Sequence, residues 1–294
     1  MIQQINASGT RNTFFSRILK LPRTWIALSL IGLVCALAVF APVIAPHDGT
    51  QQYRDGLSDF GTPLAPNARF WLGTDHLGRD VFSRALYGAR TSLFIALTAN
   101  LVAAVVGTGV GVLAGYFGSW YEHILMRLTD VLLAFPAILL ALGLSAVLRP
   151  SVRVVIMIVA VITWPLLARL VRSQTLVIAS QEYVESARAL GGRTGYIIFF
   201  HVLPHVITVT IIWITLNLAT TVLIEAALSY LGVGVPPTTP SWGNMVADGQ
   251  TRYRTAPWMI FVPSAAIMLT TLGFNLLGDA VRDALDPRTA QRQK

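Results

Sequence analysis

Cysteine and charge are both scarce in this chain. Cys35 is the only cysteine among 294 residues, which excludes an internal disulfide and a cysteine-based zinc site. Charged residues make up 12% of the sequence and hydrophobic residues 54%, whereas a soluble domain typically has about 25% charged residues. The composition therefore disfavours a water-soluble domain and indicates a membrane protein.

Lysine is nearly absent, although the formal net charge is +8. Lys20 and Lys294 are the only lysines, and no basic run is interleaved with aromatic residues; we therefore predict no nucleic-acid partner. Neither lysine belongs to the Gly-Lys-Ser or Gly-Lys-Thr sequence of a P-loop. We expect this chain not to be an enzyme, and to have no catalytic residue, metal site or cofactor of its own.

Six long apolar runs dominate what the sequence does contain. Each run is long enough to cross a hydrocarbon core about 30 Å thick as a helix, in which every backbone group is satisfied internally. The runs cover residues 25–44, 92–116, 124–148, 152–176, 206–232 and 258–277. The sequence thus predicts an all-α membrane protein with six transmembrane helices, of which the first (25–45) is retained rather than cleaved.

Basic residues near the ends of the runs predict the orientation. The tail 1–24 has four basic residues and no acidic one, which places the N-terminus in the cytoplasm. Alternation then puts the loop 46–91 outside and the tail 279–294 inside. The five-helix core 92–278 contains the long cytoplasmic loop 177–205.

The sequence of the loop 177–205 predicts a helix, a tight turn forced by glycine, and a second helix. Glu182 and Glu185 suit the positive end of a helix, and Gly191 with the glycine after it supplies left-handed positions that end it. Pro204 breaks or begins the following segment. Because the loop is too polar to lie in lipid, we interpret it as a docking element for a soluble partner.

Part of this loop resembles the Glu-Ala-Ala loop of bacterial ABC-importer permeases. The matching positions are Glu185, Ser186, Ala187, Gly191, Leu203 and Pro204. Ser186 replaces the family's usual alanine, and His201 stands where an aliphatic residue is usual. Both departures concern local packing more than the role of the loop.

Three further segments resemble the dipeptide, oligopeptide and nickel permeases, in the branch of the second permease subunit. They lie at 72–93, 228–244 and 274–288. With the loop, they make four motifs in the family's order, and the resemblance covers about residues 25–288.

The resemblance implies a type I ABC-importer permease fold in the bacterial cytoplasmic membrane, surrounded by lipid. It implies three kinds of partner: a homologous second permease, two ATP-binding subunits that hold ATP and magnesium, and an extracytoplasmic substrate-binding protein. The residues it implies in ATPase coupling are Glu182, Glu185, Ser186, Ala187, Gly191, His201, Leu203 and Pro204. Peptides are the expected substrate, with nickel or a metal chelate as the alternative. A stand-alone membrane enzyme or channel with a similar loop is the competing interpretation.

Polar residues within the runs are candidates for the translocation path. We single out Glu225 as the one acid well inside a run, with Asn217 about two turns before it on a similar face. Two interpretations stay open, because Glu225 either lines the path or makes a structural hydrogen bond near the outer end of its helix.

Charges in the external loop have helical spacing, which lets opposite charges meet along one face. They are Asp75, Arg79, Asp80 and Arg84. Pairing within the loop is the favoured interpretation, and contact with the binding protein is the alternative.

Two other patterns have structural interpretations. Gly107, Gly111 and Gly115 leave one helix face almost without side chains, which predicts close packing against another helix rather than a hinge. His201 and His205 have the spacing of a metal pair, but Pro204 lies between them and no third ligand is near. We therefore favour packing within the loop for both histidines.

Overall fold

Helices form almost all the regular structure of the computed structural model, which describes residues 22–285. Those helices are α1 (Pro22–Val39), α2 (Ala41–Ile44), α3 (Val81–Phe117), α4 (Ser119–Ala134), α5 (Ala137–Val147), α6 (Val152–Ala179), α7 (Glu182–Ala189), α8 (Thr194–Ile197), α9 (Leu203–Tyr230), α10 (Trp242–Gln250) and α11 (Trp258–Leu285). No β-strand occurs in the described range, so the predicted all-helical fold is confirmed. The predicted tails fall mainly on residues 1–21 and 286–294, outside the description.

Five helical segments are long and apolar enough to cross a membrane: α1, α3, α6, the continuous α8–α9 segment and α11. The predicted third crossing is different, because α4 and α5 meet at an angle of 93°. Pro136 causes this bend, since proline has no N–H and forces the preceding Phe135 out of the helical region, to φ −87° and ψ 134°. If α4 and α5 together make one crossing, the described residues contain six crossings, and otherwise they contain five.

The two largest differences from the predicted runs are the early starts of α3 and of the α8–α9 segment. α3 begins at Val81 rather than residue 92, because the Asp80 carboxylate caps it by accepting the Ser83 N–H at 2.9 Å. The α8–α9 segment begins at Thr194 rather than residue 206 and passes through a π turn at Ile198–Val202. Pro204 lies in the first turn of α9. It therefore begins a helix, which is one of its two predicted roles, and the other prediction, that it breaks the segment, was wrong.

The glycine stripe of α3 packs against α6, as predicted. A Cβ atom on Gly111 would lie only 2.6 Å from the Ala168 carbonyl oxygen, and one on Gly115 only 2.7 Å from Cβ of Thr175. Such distances leave no room for a side chain, so the backbones of α3 and α6 are in close contact.

The short helix α10 lies between α3, α9 and α11. Trp242 at its beginning is 1% exposed, and its indole N–H donates to the Ala85 carbonyl at 3.1 Å. At the other end of the bundle, an ion pair between Arg23 and Asp283 joins α1 to α11. These contacts fix the frame on which the candidate sites lie.

Candidate functional site

The segment 182–204, which we call the knob, consists of α7, a tight turn and α8 leading into the π turn. Gly191 has a φ of +82°, in the left-handed region, whereas Gly192 does not. The Gly192 N–H donates to the Ala187 carbonyl and the Gly191 N–H to the Arg188 carbonyl, both at 3.0 Å. This is the Schellman pairing that ends helices at glycine. The predicted helix, forced turn and helix are confirmed, with one left-handed glycine rather than two.

One side of the knob is fastened to the bundle. Val184, Ile197 and Val202 are at most 1% exposed. The Arg188 guanidinium lies over the ring of Tyr116 at the end of α3, 5.6 Å from its centroid, which adds a cation–π contact. A knob held in this way moves with the helices rather than independently of them.

The exposed residues of the knob are chemically mixed. Leu190 at the turn is 88% exposed, and Phe199 and Phe200 are each 66% exposed. Glu182 and Glu185 are exposed as well, and neither makes an ion pair within residues 22–285. The knob therefore offers carboxylates beside apolar side chains for contact with another molecule.

The structure brings the eight residues implied in coupling together on this knob. The exposed ones are Glu182, Glu185, Ser186, Gly191 and Pro204, and the half-buried ones are Ala187, His201 and Leu203. Their common location is compatible with a single docking surface.

His201 of the knob and His205 just after it pack against one tyrosine. The Tyr183 ring lies 6.2 Å from that of His201 and 6.1 Å from that of His205. This contact agrees with the packing interpretation of both histidines.

The charged residues predicted to lie in an external loop, within 75–84, pair with one another and with a residue that the sequence did not indicate. Arg79 Nε lies 2.6 Å from Asp75 Oδ2, and Arg84 Nη1 lies 3.1 Å from the same atom. Both arginines also reach Asp248 of α10, at 3.1 and 3.0 Å. We call these four residues the ion cluster.

The pairing geometry of the ion cluster differs from the prediction. Asp75 lies in a turn rather than on a helix face, and its carboxylate accepts the backbone N–H groups of Leu77 and Arg79 at 2.8 and 2.9 Å. Asp80 does not join the cluster, because it caps α3. Asp75, Arg79, Asp80 and Arg84 are at most 6% exposed, so contact with a binding protein, which stays a prediction, has little side-chain surface available.

A group of possible metal ligands overlaps the ion cluster. Oxygen and nitrogen atoms of Asp75, His76 and Asp248 lie within 4.8 Å of one another. Arg79 and Arg84 already neutralise the two carboxylates, so a cation would have to compete with two guanidinium groups.

Asn217 takes part in a polar contact between two helices. Its amide donates to Asn100 Oδ1 at 2.8 Å, and the Asn100 amide donates to Thr221 Oγ1 at 2.7 Å. The contact joins α3 to α9 within the bundle. This contact gives Asn217 a structural role. A role in the translocation path stays a prediction.

Glu225 is completely enclosed, with 0% exposure. The Ser229 hydroxyl donates to its Oε1 at 2.9 Å, and the side chains of Ser92 and Ser241 also approach the carboxyl group. The structural hydrogen bond is thus present, and the path role stays a prediction. Asp130 is a second acid inside a predicted run, so describing Glu225 as the only one was wrong.

Known proteins provide an independent comparison. The family model described as the inner membrane component of binding-protein-dependent transport systems matches residues 107–291. The dipeptide transport system permease protein DppC of Alkalihalophilus pseudofirmus is 38% identical over 93% of this chain and 88% of its own length. The glutathione transport system permease protein GsiD of Pectobacterium atrosepticum is 39% identical, over 94% of this chain and 90% of its own length.

Solved structures agree at the level of the fold. An inward-facing conformation of the MetNI methionine ABC transporter superposes with a TM-score of 0.56 at 19% identity, covering 69% of this chain and 97% of the other. The predicted type I ABC-importer permease fold is thereby confirmed. Together with the family match and the two relatives, this shows that the chain belongs to the family of inner membrane components of binding-protein-dependent transport systems.

Proposed function

We propose that this chain is the permease subunit of an ATP-binding-cassette importer for small peptides. The two relatives compared above, which each cover more than nine-tenths of the chain, are named for dipeptide and glutathione transport. Both substrates are short peptides with free amino and carboxylate groups, and these names favour peptides over nickel. The substrate class rests on this similarity.

The knob is the single observation that carries the mechanism. It protrudes with exposed carboxylates and apolar side chains, while Val184 and Ile197 fasten it to the bundle. A rigid projection of this kind transmits the movement of a partner to the helices, provided that it binds two states of the partner with different affinity. The partner we propose is a pair of ATPase subunits, which supply ATP, magnesium and hydrolysis.

The orientation follows from the charge of the first tail. Its four basic residues without an acid favour the cytoplasmic side, so the knob faces the ATPases and the loop before α3 faces the binding protein. The homologous second permease completes the passage. The complex lies in the bacterial cytoplasmic membrane with both termini of this chain in the cytoplasm.

Co-purification tests this function. A tagged chain extracted in mild detergent is expected to retain the second permease and two ATPase subunits. When reconstituted with its binding protein, the complex is expected to import a dipeptide only while ATP is supplied. Purification of the chain alone, under conditions that preserve related importers, would contradict the proposal.

A further inference from the structure

A charged cleft lies between α4 and α6, outside the sites described above. Its volume is about 460 Å³. The charged and titratable side chains that line it are Glu122, His123, Arg127, Asp130, Arg169 and Arg172. None of them was singled out from the sequence, and the knob does not use them.

The charged residues Asp130, Arg169 and Arg172 of the cleft lie inside apolar runs that the sequence predicts to cross the membrane. Asp130 is eight residues beyond Glu122 on α4, which is about 12 Å along the helix axis. On α6, Arg169 is ten residues before the end at Ala179, about 15 Å along that axis. Charged side chains at such depth face the bundle interior or a water-filled space rather than lipid.

The opposite face of α4 has the composition of a lipid contact. Ile124, Leu128 and Val131 on that face are 58%, 50% and 51% exposed. The helix is therefore amphipathic across its length, with its charged side turned to α6. This arrangement fits a helix between lipid and water.

Two ion pairs cross the cleft, and one of its three arginines belongs to neither pair. Arg169 pairs with Asp130, and Arg172 pairs with Glu122, which ties α4 to α6. Arg127 makes no ion pair within the described part of the chain and is exposed. The cleft thus combines two paired acids with one cation available for an anion.

From this arrangement we propose that the cleft is this chain's wall of the water-filled cytoplasmic half of the passage, and that Arg127 receives the carboxylate of a zwitterionic substrate. The proposal rests on the proposed function and assigns its substrate class to a site. A guanidinium group binds a carboxylate through two parallel hydrogen bonds. Glu122 and Asp130, on the same helix as Arg127, have carboxylate oxygens that accept hydrogen bonds from the ammonium group.

An exposed arginine suits a passage better than a storage site. A passage must bind its cargo strongly enough to admit it and weakly enough to release it. Ion pairs in contact with water contribute about 0–1 kcal/mol, so Arg127 favours entry without trapping the substrate. The two crossing pairs keep the walls in place while the cargo passes.

Thiol labelling tests whether the cleft contains water. Replacing Cys35 with serine removes the only native cysteine of this chain, after which Arg127→Cys and Leu128→Cys are introduced separately into the complete transporter and labelling of this chain is measured. Inverted membrane vesicles receive a membrane-impermeant thiol reagent. Because a thiol in lipid stays protonated and unreactive, Arg127→Cys is expected to react at least about tenfold faster than Leu128→Cys.

Two failures of this experiment can be told apart. Equal labelling of both cysteines in a complex whose wild type imports peptide overturns the cleft proposal and leaves the proposed function intact. A wild-type complex that imports no peptide, or retains no ATPase, overturns the function itself. Labelling of Arg127→Cys only from the external side contradicts the cytoplasmic placement.

Uptake by charge variants tests the role of Arg127. We expect Arg127→Gln to lower dipeptide uptake about fivefold, and Arg127→Lys, which keeps the charge, to retain at least about half of it. The assay is repeated in vesicles with and without anionic phospholipid. A loss confined to anionic vesicles assigns Arg127 to lipid headgroups, and unchanged uptake in Arg127→Gln removes it from the path; both overturn the substrate role.

Discussion

Arg84 at the beginning of α3 and Asp248 of α10 are joined by a 3.0 Å contact across 164 residues of sequence. The Arg84 side chain is 2% exposed, so the pair is shielded from solvent on one side. Through the ion cluster, this contact fastens the turn that carries Asp75 to the short helix α10. The relative placement of that turn, the beginning of α3 and α10 depends on it.

Asp248→Asn is expected to destabilise the complex. It leaves Arg79 and Arg84 with the Asp75 carboxylate between them, and an incompletely satisfied buried group costs about 1–3 kcal/mol. Thermal unfolding of the detergent-solubilised complex measures the loss. The control is Asp55→Asn, which breaks an exposed pair with Arg69 and is expected to cost less than about 1 kcal/mol. Equal effects of the two variants would contradict a structural role of the ion cluster.

Gly111→Val is expected to separate α3 from α6. The first added carbon would lie 2.6 Å from the Ala168 carbonyl oxygen, and overpacking of this kind costs about 1–3 kcal/mol or more. The yield of assembled complex and its melting temperature are the measurements. Gly109→Val on the same helix is the matched control, because a Cβ atom there has nothing within 4 Å. Tolerance of both variants would show that the close packing is dispensable.

Gly191→Ala tests the turn of the knob without introducing a clash. A Cβ atom at Gly191 meets nothing within 4 Å, but the φ of +82° is unfavourable for alanine by about 1–2 kcal/mol. We expect weaker coupling, measured as fewer peptides imported per ATP hydrolysed. A Cβ atom at Gly195 in α8 also meets nothing within 4 Å, and the backbone there is helical. Gly195→Ala is therefore expected to leave the coupling unchanged. If Gly191→Ala imports as many peptides per ATP hydrolysed as Gly195→Ala, the left-handed turn has no part in coupling.

Glu225→Ala is expected to lower stability, because it removes the acceptor of the Ser229 hydroxyl in an enclosed site and an unsatisfied buried group costs about 1–3 kcal/mol. Glu225→Gln keeps an oxygen acceptor and is expected to recover most of that loss. Its uptake rate at normal expression then tests the path role. Lower uptake supports that role, whereas wild-type uptake confines Glu225 to the hydrogen bond.

Much of the helical framework could be predicted from the sequence, since long apolar runs have few alternatives in lipid. The bend at Pro136 was missed because the run through it is uniformly apolar, although the proline itself is the signal. The early start of α3 was missed because residues 81–91 are mixed in polarity, whereas the Asp80 cap depends on a hydrogen bond. Local capping and proline rules explain both differences.

Some features of the candidate sites could likewise be predicted from the sequence, and others could not. The turn of the knob was predictable, because a left-handed glycine and its hydrogen bonds lie within a few residues of one another. Asp248 was not predictable, since its partners are more than 160 residues away. For the charged cleft, the spacing of Glu122, Arg127 and Asp130 on α4 was a signal, but the pairing with α6 requires the structure.

The central claim is that the knob couples a separate ATPase to this bundle, and the ratio of peptide imported to ATP hydrolysed tests it most directly. Glu185→Lys reverses an exposed charge on the knob, and Asp59→Lys makes the same change in the loop before α3, where the residue is also exposed. In the reconstituted complex, we predict that Glu185→Lys continues to hydrolyse ATP while peptide import is lost, and that Asp59→Lys keeps the wild-type ratio. A wild-type ratio in Glu185→Lys would contradict the account.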